Sequence, residues 1–133
     1  MKSLKTVINS LAGREDFLEI TVTDIIQQMG IAANIKGFRY LRRAIILCIE
    51  NTDMINSVTK LLYPTIAAEF NISVSCVSIN ISCAIKIIWE IGNEKVLRSY
   101  FSNTMGKTKG KPTNAEFIAL ISDTLRLRFK NLI

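Results

Sequence analysis

Pro64-Thr65-Ile66-Ala67-Ala68-Glu69-Phe70-Asn71-Ile72-Ser73-Val74-Ser75-Cys76-Val77-Ser78-Ile79-Asn80-Ile81 decides how this chain folds. Proline is tolerated in the first turn of a helix, where its missing N–H has no partner to lose. Pro64 therefore opens a short helix that runs to Phe70. Asn71-Ile72-Ser73 reads as a turn, and Ser73 is a candidate N-cap for a longer helix from Val74 to about Ile91. Along that helix Val77, Ile81, Ala84, Ile85 and Ile88 recur at three- and four-residue steps, the spacing of one buried stripe. Gly92-Asn93 closes it. A short helix, a three-residue turn and a longer helix make the helix-turn-helix pattern. Ala67, Ala68 and Val77 are small or branched, as close packing of such a pair requires. Many helical bundles contain a similar hairpin, so the pattern alone leaves DNA binding and plain structural pairing both open.

Outward from this hairpin the helical signals continue. Phe38, Leu41, Ile45 and Ile49 predict a helix from Gly37 to Glu50, with Lys36, Arg39, Arg42 and Arg43 on the opposite surface, read as a solvated face. Thr21 to Met29 reads as the first firm helix, with Thr21 or Thr23 as its cap and Gly30 as its stop. Residues 1–20 are expected to be an extension, with Val7, Ile8 and Leu11 in a short helix that Gly13-Arg14-Glu15-Asp16 interrupts. Residues 21–133 are expected to form one domain. Met54 to Leu62 and Glu94 to Phe101 read as helices. Asn103 to Pro112 is a basic loop. Thr113 then caps a last helix, Asn114 to about Lys130, and Glu116 completes a capping box. Phe117, Leu120, Ile121, Thr124 and Leu125 are expected to face inward.

Composition agrees with an all-α fold of a single helical bundle. The chain has 133 residues, 49% of them hydrophobic, with only two prolines and six glycines to interrupt helices. Its net charge of +6 favours polyanionic partners. There is no histidine, which removes the commonest general base and the commonest zinc ligand. Cys48, Cys76 and Cys83 match neither a disulfide framework nor a zinc site, and read as reduced thiols in the cytoplasm. Asp53 and Asp123 stand apart from any nucleophile or base. Trp89 and Tyr63 read as core residues rather than a stacking platform. No catalytic residue, metal, cofactor or small-molecule substrate is expected. Nor is a membrane: Met1-Lys2-Ser3-Leu4-Lys5 has no sustained apolar stretch behind it, and runs such as Ala44 to Ile49 are too short to span a bilayer.

Four stretches carry a resemblance. They are Ile35-Lys36-Gly37-Phe38-Arg39-Tyr40-Leu41-Arg42, Thr59-Lys60-Leu61-Leu62-Tyr63-Pro64, Trp89 with Gly92-Asn93, and Thr108-Lys109-Gly110-Lys111-Pro112-Thr113-Asn114-Ala115-Glu116-Phe117-Ile118-Ala119. From about Thr21 to Arg128 the chain resembles the C-terminal effector domain of the stage zero sporulation response regulator. The resemblance implies an all-helical fold, dimeric binding to tandem sites on double-stranded DNA, and a role in transcription.

Two departures shape the expectation. The regulator of that family carries a receiver domain, for which residues 1–19 are too few, so no phosphoacceptor control carries over. The family also places arginines and a glutamate where this chain has Cys76, Ser78, Ile79 and Ser82. Guanidinium forks on guanine edges are the strongest direct readout. Here the reader would be Ser75, Cys76, Ser78, Ile79 and Ser82, with Lys86 as its one cation. Lys107, Lys109 and Lys111 are expected to meet phosphate, as cations beside the free N–H groups of a helix start. The alternative is a protein-interaction module that acts through mixed dimers with a related regulator.

Overall fold

The computed structural model describes residues 13–101 and 110–132. Among these residues every regular element is helical. The order is α1 (Gly13–Gln28), α2 (Lys36–Glu50), a connector of a 3-10 helix (Thr52–Ser57) and a π turn (Val58–Leu62), α3 (Tyr63–Phe70), α4 (Val74–Ile91), α5 (Glu94–Phe101) and α6 (Asn114–Leu132).

α2 is the axle of the bundle, packed against α1, α4 and α6. Its apolar residues cover most of its circumference: Phe38, Tyr40, Leu41, Ala44, Ile45, Ile46, Leu47 and Cys48 are all buried. A helix apolar on so many sides is stable only with neighbours around it. Burying each Leu, Ile or Phe stabilises the fold by about 1.5–3 kcal/mol. The same burial pushes the Cys48 thiol up to about 12, so it stays neutral and unreactive.

Two glycine contacts fix α4 on this axle. A Cβ on Gly37 would stand 2.1 Å from the Asn80 carbonyl oxygen and 2.8 Å from Ala84 Cβ, so only glycine lets α2 approach α4 there. At the far end Gly30 ends α1 with φ +104, and a Cβ on Gly92 would stand 2.4 Å from the Met29 carbonyl oxygen. The Asn93 N–H donates to that same oxygen at 2.9 Å. α4 is therefore clamped at its middle and at its C-terminal end.

The structure departs from the sequence expectations in four places. First, α1 starts at Gly13 rather than Thr21. Phe17 meets the edge of Phe129 on α6 at 5.4 Å, and Leu18 and Val22 are buried, so tertiary packing draws the segment into the helix despite its weak local signal. Thr21 and Thr23 thus sit inside α1, and Thr23 Oγ1 accepts from Arg42 Nη1 at 3.1 Å instead of capping. Val7, Ile8 and Leu11 lie outside the described residues.

Second, the connector is not continuous α-helix. Pro64 cannot donate a backbone hydrogen bond, and the turn before it widens so that the Tyr63 N–H reaches Val58 O. Third, Ala68 is exposed, so of the three residues expected in the seam of the helix pair only Ala67 and Val77 are buried. Fourth, α4 is 18 residues long with a mean hydropathy of 1.6, long and apolar enough to cross a membrane by those measures alone. Ser and Cys residues interleaved with Ile hide this from a search for unbroken apolar runs. Its stripe of Val77, Ile81, Ala84, Ile85 and Ile88 is fully buried in the bundle.

Candidate nucleic-acid interface

α3 and α4 pack directly against each other around a tight turn. Asn71 takes the left-handed conformation with φ 55, which asparagine tolerates better than most residues. The Ile72 N–H closes the turn onto Ala67 O at 3.0 Å. Ser73 Oγ then accepts from the Cys76 N–H at 3.0 Å, the N-cap expected from the sequence. These local bonds set where α4 begins, and hence which residues face outward.

The expected reader residues separate into two groups. Ser75, Ile79 and Lys86 are exposed, and Ile79 keeps 61% of its surface accessible. Cys76, Ser78 and Ser82 are half-buried along the flanks of the helix. On one flank the Asn80 side-chain amide donates to Cys76 O at 2.7 Å and to Cys76 Sγ at 3.3 Å. On the other, the Asn114 amide at the start of α6 donates to Ser78 O at 3.1 Å and to the Tyr63 hydroxyl at 3.0 Å. Asn114 thus joins α6 to both helices of the hairpin.

Sequence reading missed two contributors. Cys83 is exposed one turn beyond Ile79, and its four-residue spacing from Ile79 was the available signal. Asn114 matters through contacts 36 and 51 residues distant in sequence, which no local pattern reveals. Among the described residues no group of three Cys, Asp or Glu side chains could hold a metal ion.

Of the loop cations, Lys107 and Lys109 lie outside the described residues. Lys111 is exposed, and its Nζ donates to Ser82 Oγ at 3.4 Å. The start of α6 therefore delivers a cation to the flank of α4. The expectation of open N–H groups at this helix start is corrected. The Glu116 N–H donates to Thr113 Oγ1 at 3.1 Å, and the Thr113 N–H donates to Glu116 Oε1 at 2.8 Å. This capping box uses two backbone donors and brings a carboxylate to the terminus. The helix start is thus partly capped by its own side chains, and Lys111 stands exposed just before it. Beside Lys111, a groove of about 610 Å³ is walled by Trp89, Phe101 and Leu120, next to the outer face of α4 rather than on it.

Set against known protein families, residues 22–125 match the family described as sporulation initiation factor Spo0A C terminal. The match begins within α1, spans the helix-turn-helix and ends within α6.

Proposed function

The chain belongs to the Spo0A C-terminal family of DNA-binding effector domains and is not an enzyme, and from that premise we propose that it is a cytoplasmic transcription regulator that docks α4 in the major groove with an altered, largely uncharged reader. The observation that carries this reading is the placement of Lys111 against Ser82, a phosphate-seeking cation beside the outward face of α4.

Phosphate contacts position a protein on DNA and base contacts specify the sequence. Lys111, with Lys107 and Lys109 of the same loop, supplies the first kind. Ser75, Ser78 and Ser82 offer hydroxyls, Cys76 a weak donor, and Ile79 an apolar contact for a thymine methyl. None provides a bidentate fork for guanine, so affinity is mostly electrostatic and the sequence preference is relaxed or new. The resemblance in the reader's surroundings supports binding as a homodimer, or as a mixed dimer with a related regulator, on tandem sites.

A mobility-shift titration on random duplex DNA at two salt concentrations tests the proposal. A shift that weakens steeply with salt is expected. The exposed Ile79 on a neutral surface favours a second reading, a module that pairs with a sporulation-type regulator without reading DNA. No shift at either salt, together with a stable complex between this chain and such a regulator in sedimentation, would select it.

A further inference from the structure

α2 carries four cations near the hairpin, and the structure divides them into two pairs. Arg43 forks onto Glu69 of α3, with Nε 2.7 Å from Oε1 and Nη2 2.9 Å from Oε2. Arg42 is held by Thr23 Oγ1 at 3.1 Å, lies 3.8 Å from Glu19, and stacks over Phe38. Both are half-buried and tie α2 to its neighbours. Lys36 and Arg39 are exposed, and neither meets a carboxylate among the described residues. The Arg39 guanidinium lies 5.2 Å from the Phe70 ring centre, and Tyr40 braces that ring edge-on at 5.0 Å. Stacking orders a guanidinium while leaving its in-plane N–H groups free to donate.

Backbone contact sets the position of Lys36 relative to α4, and the stack on Phe70 at the end of α3 sets that of Arg39. Lys36 adjoins Gly37, the residue whose backbone abuts Asn80. Lys111 reaches Ser82. At about 100° per residue, Asn80 and Ser82 stand roughly 200° apart around α4, on opposite flanks. A helix about 10–12 Å wide fills a major groove of about 12 Å, so cations on its two flanks face the phosphates of opposite walls. We infer that Lys36 and Arg39 form a second phosphate-binding rail, gripping the strand across the groove from the one that Lys111 meets. This rests on the proposed docking of α4, and its ligand is the DNA backbone, irrespective of sequence. Arg42 and Arg43 are scaffold, not rail.

The test is a binding titration of the full chain on a random-sequence duplex across a salt series. Each phosphate contact contributes about 0.9 to the log–log salt slope. Lys36→Gln with Arg39→Gln should flatten the slope by about two units and weaken binding equally on all sequences. Lys111→Gln should flatten it by about one, and the triple variant by about three. Arg43→Gln should lower the thermal midpoint and leave the slope alone. Arg39→Lys keeps the charge and loses the stack, so it should retain most of the slope. An unchanged slope in the Lys36/Arg39 pair, with a flattened one in Lys111→Gln, overturns the rail while the docking of α4 stands. Arg39→Lys as impaired as Arg39→Gln also overturns it, because the effect would then follow packing rather than charge. A wild-type chain without salt-dependent binding defeats both the rail and the docking.

Discussion

The inner and outer faces of α4 lie half a turn apart on one helix and differ in nearly every respect. The inner face is Val77, Ile81, Ala84, Ile85 and Ile88, fully buried against the rest of the bundle. The outer face is Ser75, Ile79, Cys83 and Lys86, exposed and almost uncharged. The inner face is constrained by volume, since neighbouring side chains leave no room to change size. The outer face is constrained only by whatever it meets. A chain can therefore keep the fold of its family while the chemistry of its reader shifts, because the two sets of residues share a backbone but do not touch.

The largest expected effect tests that independence. Ile81→Ala or Ile85→Ala should destabilise the chain by about 2–5 kcal/mol in urea denaturation, the loss typical of large-to-small changes in a packed core. Ile79→Ala should shift stability by no more than about 0.5 kcal/mol. A loss at Ile79 comparable to that at Ile81 would mean the outer face is covered in solution.

Rebuilding the outer face at Ile79 and its flanks at Cys76, Ser78 and Ser82 should change recognition and spare the fold. Cys76→Arg, Ser78→Glu, Ile79→Arg and Ser82→Arg together should create a preference for the family's DNA site over a scrambled one. Each good bidentate pair discriminates by about 1–3 kcal/mol. Cys76, Ser78 and Ser82 are half-buried, so the folded state of this variant has to be checked by circular dichroism before binding is read. A folded variant with no gain in preference places the difference in docking or dimerisation rather than in the reader.

Between the faces lies the cap that sets their register. Ser73→Ala removes the acceptor of the Cys76 N–H and should lower stability by about 1 kcal/mol. No loss would show that the Asn71 turn and the packing of α4 hold its start without the cap. Replacing Lys107, Lys109 and Lys111 by alanine should leave stability nearly unchanged but weaken DNA binding on every sequence. The salt slope should flatten by about one unit for each phosphate that is no longer neutralised. An unaltered slope would mean that the loop is only solvated.

The smallest effect is chemical. Thiol labelling of the native chain near neutral pH should modify exposed Cys83 first and half-buried Cys76 more slowly. Cys48, its pKa pushed up to about 12 by burial, should react only on unfolding. Equal labelling of all three would show that the bundle opens readily around α2.

Much of this molecule was legible in the residues themselves. The Ser73 cap, the Asn71 turn, the Thr113–Glu116 capping box and the stripe along α4 all depend on partners within a few positions in the chain. The early start of α1 was not legible, because Phe17 owes its place to Phe129. The uneven exposure of the reader was not either, since Asn114 and Lys111 reach its flank from α6 and the loop before it. Likewise the α2 cations read as one solvated face, until Glu69, Thr23 and Phe70 separated structural arginines from exposed ones.

The sequence by itself determined the helical class, the helix-turn-helix and the family, because periodicity, caps and turns are short-range and repeat wherever the same residues occur in order. Tertiary structure alone decided that Lys111 reaches Ser82 on α4 and how closely α2 and α4 approach at Gly37. Those outcomes depend on contacts between residues far apart in the chain, where a carbonyl 2.1 Å from an absent Cβ matters more than any neighbour in sequence.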